Sequence, residues 1–139
     1  MRSTVEFINP EGFLENPAFS HIAVTHGQGS TIYIGGQNAI NKNREIIGPC
    51  DIKSQTSYVL DNIEEALSAA GASINDLVAL KIYIVYGEDV GQGFAGAQEF
   101  LKKLKSPPVI SGIIVAGLAN PEYLVEIEAI AFLKAPDSL

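Results

Sequence analysis

Apolar and polar positions alternate most regularly near the end of the chain, where Tyr123–Phe132 reads YLVEIEAIAF. The composition suits a pleated strand, and side chains on a strand point alternately to its two faces. Val125, Ile127, Ala129 and Ala131 therefore share one face, and Glu126 and Glu128 share the other, about 7 Å apart along the strand. A carboxylate set among hydrophobes costs several kcal/mol unless it is hydrogen-bonded or protonated. Two readings follow: at least one of the acids has a specific task, or their face is wet or a subunit boundary.

Upstream, the same pattern predicts a strand over Thr4–Ile8, ended by Asn9-Pro10, and a loop over Glu11–Ser20. His21–Thr25 and Thr31–Gly35, separated by HGQGS, are expected to form a hairpin. Gly35-Gly36 closes it where backbone approaches another group. A helix is predicted from the N-cap Asp51 to about Ala70, with Gly71 as its stop. Its apolar stripe is Ile52, Val59, Ile63, Ala66, Leu67 and Ala70, and Asn62 is the expected structural hydrogen bonder. A buried strand over Leu77–Val85 is broken only by Lys81. A second helix over about Val90–Leu104 ends before Pro107 and Pro108, and a strand follows over Val109–Ala116. The order β-β-β-α-β-α-β-β gives an α+β fold, a mixed sheet carrying two helices on one face, within one domain over residues 1–139.

Composition narrows the function. A formal net charge of -7 argues against nucleic acid as a partner, because a general grip on phosphates needs clustered cations. Lys102, Lys103 and Lys105 read as the solvated end of a helix instead. The single Cys50 rules out an internal disulfide and fits a reducing compartment. With no histidine near it in sequence, it is a poor candidate nucleophile. His21 and His26 have no ligand spacing for a metal and read as satisfied surface histidines, so no metal or cofactor is expected. The opening MRSTVEFINPEGF has no signal-peptide core and no apolar run reaches membrane-spanning length, so the expected location is the cytoplasm, with no membrane partner.

The closing VEIEAIA, the Gly36-Gln37 pair after the third strand, and AAGAS followed by DLV resemble the RidA (YjgF) family, once called L-PSP endoribonucleases. The resemblance runs over nearly the whole chain. It implies a RidA-like, chorismate-mutase-like fold assembled as a homotrimeric barrel, with a small-molecule pocket in each subunit interface. It also implies hydrolysis of reactive imines and enamines to a keto acid and ammonia, without a cofactor.

In that family an arginine clamps the substrate carboxylate and a glutamate positions the attacking water. The resemblance places the glutamate at Glu126. The arginine of its P-A-R-S stretch falls at Ile110, within Pro108-Val109-Ile110-Ser111, and the pocket cysteine falls at Gly112. The loop tyrosine falls at Phe19, the serine before Gly-Gln at Gly35 beside Gly36, and the helix asparagine at Phe94. Each change removes a polar or charged group. Losing the bidentate arginine forfeits roughly 1.5–3 kcal/mol toward a carboxylate. Arg44, in a polar loop, is the best candidate to replace it. The expected pocket, lined by Phe19, Gly35, Phe94, Ile110 and Gly112 with Glu126 at its edge, suits a neutral or apolar ligand. Three functions remain in order: hydrolysis of a C–N bond in such a substrate with Glu126 as acid and base, non-catalytic binding of a small metabolite, and, last, ribonuclease action.

Overall fold

The computed structural model describes residues 2–136. Its elements are β1 (Thr4–Ile8), β2 (Ile22–His26), β3 (Gly29–Gln37), α1 (Ile52–Ala69), β4 (Leu77–Val85), α2 (Val90–Lys102), β5 (Val109–Val115) and β6 (Val125–Lys134). A single 3-10 turn, Ile74–Asp76, leads into β4. The predicted element order is the observed one.

The strands form two sheets. β1 and β2 pair with each other, Thr4 opposite His26 and Ile8 opposite Ile22. The other four run in the order β3-β6-β4-β5, antiparallel except for the parallel pair β4 and β5 that α2 connects. The expected hairpin between the second and third strands is thus replaced. Only Gly27 and Gln28 separate β2 from β3, and Gly27 has φ of 84°, so the chain turns sharply there. Gln28 then offers its carbonyl to Ala135 N–H (3.1 Å) and to the Ser3 hydroxyl, which ties the turn to the end of β6 and to the start of β1. From that point β3 follows β6, pairing from Gly29 opposite Lys134 onward, because this buries Ile34 in the core.

α1 begins and ends where its residue types dictate. The Asp51 carboxylate accepts from Ser54 N–H (3.3 Å) and from the Ser54 hydroxyl (2.6 Å). That hydroxyl bond, more than any other contact, holds the Asp51 carboxyl below its ordinary value. At the far end Gly71 takes φ of 82° and Ala72 N–H returns to the Leu67 carbonyl, closing a Schellman turn. Both helices lie on one face of the four-stranded sheet. Val59, Ile63 and Leu67 of α1 and Phe100 of α2 close over Val125, Ile127, Ala129 and Ala131.

Within α1 the polar residue that matters is Gln55, not Asn62. Fully buried, it donates through Nε2 to the carbonyls of Gly48 (3.2 Å) and Glu122 (3.0 Å) and accepts from Leu124 N–H (2.9 Å). It thereby fixes the loop that delivers β6. Ala70, expected on the buried stripe, is exposed, because the helix has already ended. The second helix stops at Lys102. Lys103 and Lys102 pair with Glu64 and Glu99 at its exposed end.

Candidate functional site

The register of the sheet decides which residues can meet. Leu80 of β4 stands opposite both Ala129 of β6 and Ile110 of β5, and Ile82 stands opposite both Ile127 and Gly112. Directly paired residues point to the same side, so Ile110 and Gly112 face the helices. In the intervening rows Tyr83 is opposite Glu126 and Lys81 is opposite both Glu128 and Ser111. Both acids therefore face away from the helices, on a side left uncovered in the single chain: Tyr33, in a neighbouring row of that face, is 76% exposed.

On the helix side lies a cavity of about 290 Å³ between β4, β5 and the two helices. Phe19, Phe94, Ile110 and Gly112 all line it, with Thr56, Leu60, Leu80, Ile82, Ala97 and Ile127 among the others. Nothing stands within 4 Å of where a Gly112 side chain would begin, so this glycine leaves the space open. Phe19 reaches the cavity because Ser20 is pinned to the start of β5: its N–H bonds the Pro108 carbonyl (2.9 Å) and its hydroxyl bonds the Pro107 carbonyl (2.6 Å). The His21 ring meets Phe19 and Phe13 edge-on, with centroids 5.4 and 5.1 Å away, and bonds the Leu14 carbonyl (2.7 Å). Phe94 stands at the mouth, half-exposed on α2. None of the described lining residues is ionisable.

On the opposite side Glu126 is held by a neutral donor. Asn38, just past β3, donates through Nδ2 to Glu126 Oε1 (3.2 Å) and toward the Val125 carbonyl (3.4 Å). Gly36 lies directly against the Glu126 carboxylate. A shift in the β3 ladder between Ile34 and Gln37 brings it there. Gly35 lines a separate hollow of about 360 Å³ with Tyr33, Lys81, Ser111 and Glu128. The Tyr83 hydroxyl donates to Glu128 Oε1 (2.6 Å). This bond, with burial and the charges of Glu128 and Glu126 adding to it, raises the phenol above its ordinary value of 10.0.

The single pocket expected from the sequence is thus divided within one chain. Phe19, Phe94, Ile110 and Gly112 come together; Gly35, Gly36 and Glu126 stand on the other face. Arg44 is exposed, at φ of 63° in the turn closed by its N–H to the Asn41 carbonyl (3.0 Å), and makes no ion pair with Glu126. Among the described residues no group of three or more His, Cys, Asp or Glu side chains is placed to hold a metal ion. Cys50 is exposed and free, and His26 bonds Glu6 (3.2 Å). Among the described residues no helix is long and apolar enough to cross a membrane.

Asn38, Thr56 and Tyr83 were missed as neighbours of the two sites. Thr56 had a signal: it lies four residues after Ile52 and four before Leu60, on the buried stripe of α1. Tyr83 had one as well, lying two residues from Lys81 and so on the same strand face.

Fold and site together define a small α+β protein with two helices on one face of a mixed sheet, an apolar cavity beneath them and a carboxylate pair on the reverse. Residues 14–133 match the family model described as Endoribonuclease L-PSP. A RutC family protein of Pyrococcus horikoshii is 36% identical over 106 residues, 75% of this chain and 80% of its own. The 3-aminoacrylate deaminase RutC of Acinetobacter baylyi is 26% identical over 126 residues, 91% of this chain and 96% of its own. Among solved structures, a Yersinia pestis protein of the conserved Rid family, of unknown function, superposes with a TM-score of 0.80. It is 37% identical, and the match covers 93% of this chain and 98% of that one. The chain belongs to the RidA/YjgF family, the family of the L-PSP endoribonuclease model.

Proposed function

We propose that this protein hydrolyses an imine or enamine C–N bond in a neutral, mainly apolar small molecule, at a site completed between copies of the chain in a homotrimer. One copy supplies the cavity under α2, and the next supplies Glu126. The observation that carries this reading is the division of the site: none of the cavity's described lining residues is ionisable, and Glu126 stands on the uncovered reverse of the same sheet. A carboxylate on an uncovered face is available to a neighbour, whereas its own cavity lies behind the sheet.

In the reaction Glu126 takes a proton from the water that attacks the imine carbon. The proton passes to the nitrogen, giving an amino alcohol; its hydroxyl proton then follows to the nitrogen by way of Glu126, the carbon–nitrogen bond breaks, and a carbonyl compound and ammonia leave. Asn38 and Gly36 fix the carboxylate for this task. The naming of the Acinetobacter relative as a 3-aminoacrylate deaminase supports the reaction class. Ile110, in place of a clamping arginine, supports the neutral substrate. A cytoplasmic location belongs to the same reading and is supported by the free Cys50. Ribonuclease action has only the family's older name behind it, against a net charge of -7.

A second reading, non-catalytic binding of a small metabolite, is favoured by that same charge-free lining. Ammonia release separates the two. With imines generated in place by amine oxidation, the imine of benzylamine should be hydrolysed faster than 2-iminopropanoate, and Glu126→Gln should abolish the difference from background. Turnover unchanged in Glu126→Gln removes its catalytic role, and no turnover of either imine leaves binding alone.

A further inference from the structure

One buried polar atom in the cavity lining has no partner among the described residues. Thr56 is 4% exposed, and its Oγ1 makes no hydrogen bond among the described residues. A threonine on a helix commonly returns its hydroxyl to the carbonyl one turn back, and this one does not. Buried hydroxyls without a partner are uncommon and call for a physical reason. Thr56 lines the cavity whose other lining side chains are mostly aliphatic or aromatic.

Two glycines of α2 lie against α1 at this residue. A side chain at Gly93 would begin 3.9 Å from Thr56 Oγ1 and 3.4 Å from Ile52 Cδ1. One at Gly96 would run into the Lys53 carbonyl of α1 and would begin 3.0 Å from Thr56 Cβ. α2 thus approaches α1 closely at Thr56, and at Gly93 it brings no side chain toward the hydroxyl. An ordered water is a poor occupant, since a buried water needs two to four polar partners. The other polar side chain in the lining, Asn16, already accepts from Ala18 N–H (2.8 Å).

We propose that Thr56 is the polar anchor of the ligand, and that the ligand is a one-ring or branched-chain molecule carrying a single uncharged hydroxyl or carbonyl group. This rests on the reading that the cavity takes a neutral small molecule, and it adds which end of the molecule goes in first. The size follows from the cavity: about 290 Å³ is nearly twice the roughly 150 Å³ that accommodates benzene in an apolar site, which leaves room for a ring and a short substituent. The single polar group follows from the one buried polar atom of the lining that has no partner among the described residues. Charge is excluded because nothing in the lining could offset its desolvation.

The test compares probes of one shape. 4-Methylphenol and p-xylene differ by a hydroxyl in place of a methyl, and 4-methylbenzoate adds a charge. Titration calorimetry on the full chain should show 4-methylphenol binding about tenfold more tightly than p-xylene, as one extra hydrogen bond provides, with 4-methylbenzoate weakest. Thr56→Val keeps the shape and should bring the phenol-to-xylene ratio to about one, whereas Thr56→Ser should preserve it. A ratio that Thr56→Val leaves unchanged, or a wild-type ratio of about one, overturns the anchor while leaving the cavity as an apolar site. No binding of any probe to the wild type overturns both the anchor and the reading beneath it.

Discussion

Gly36 and Glu126 meet across the seam between β3 and β6, so closely that a Cβ on Gly36 would stand 2.6 Å from the carboxyl carbon of Glu126. The missing side chain is what lets the carboxylate lie flat against β3 and accept from Asn38. A methyl there cannot coexist with the present position of the acid. Because Glu126 is a flexible side chain, it would swing away rather than force the strands apart.

Gly36→Ala is therefore expected to cost little stability and much activity. Losing the Asn38 bond lowers stability by about 1 kcal/mol, read by urea denaturation. Displacing the carboxylate by about 1 Å is enough to lower turnover roughly a hundredfold, short of the complete loss expected for Glu126→Gln. Full turnover with an alanine at this position would mean that the acid need not stand where β3 holds it.

Position 110 controls the charge of the substrate. Ile110→Arg would place a planar cation in a cavity with no counterion, at a half-buried site, and should destabilise the chain by about 2 kcal/mol. The same substitution should raise turnover of 2-iminopropanoate relative to the benzylamine imine by about tenfold, since a guanidinium pairs a carboxylate through two bonds. Relative rates measured side by side check this. An unchanged ratio would show that Ile110 does not face the substrate.

How much of this was legible in the chain depends on which interactions are local. The alternation in β6 and both ends of α1 could be read directly, because a strand's faces, an Asp51 cap and a Gly71 stop are set within a few residues. The division of the site could not. Whether Ile110 shares a face with Glu126 depends on the register of two strand pairs, and β4, which links them, carries no mark of register beyond Lys81. The pairing of β3 was likewise hidden, since Gly27-Gln28 is a plausible hairpin turn and only β6, about a hundred residues later, competes for the strand. Gln55 and Thr56 were passed over for a different reason. Both are polar types on the buried face of α1, and a stripe drawn through apolar residues skips the positions where the cavity and the β6 loop are fastened.

Tyr83 offers a probe of the uncovered face by pH. Its hydrogen bond to Glu128 raises its pKa, so the folded chain holds this proton more tightly than the unfolded one. The resulting stabilisation is complete below the ordinary value of 10.0 and fades as pH rises through the higher folded value. The stability difference between wild type and Tyr83→Phe should hold steady across neutral pH and shrink in strong alkali. Tyrosinate absorbance should show one late-titrating phenol that the variant lacks. A Tyr83 that ionises with the other tyrosines would mean that the bond to Glu128 is not kept in solution.

Two inactive chains provide the most direct measurement. Glu126→Gln keeps an open cavity without the acid, and Gly112→Phe keeps the acid while filling the cavity, where nothing opposes a side chain within 4 Å. Each alone should release no ammonia above background from the benzylamine imine. Co-expressed and purified as mixed assemblies, they should recover about a quarter of wild-type turnover, because random mixing pairs an intact cavity with an intact Glu126 at about one interface in four. Mixed assemblies as inactive as either variant alone would contradict a site shared between copies.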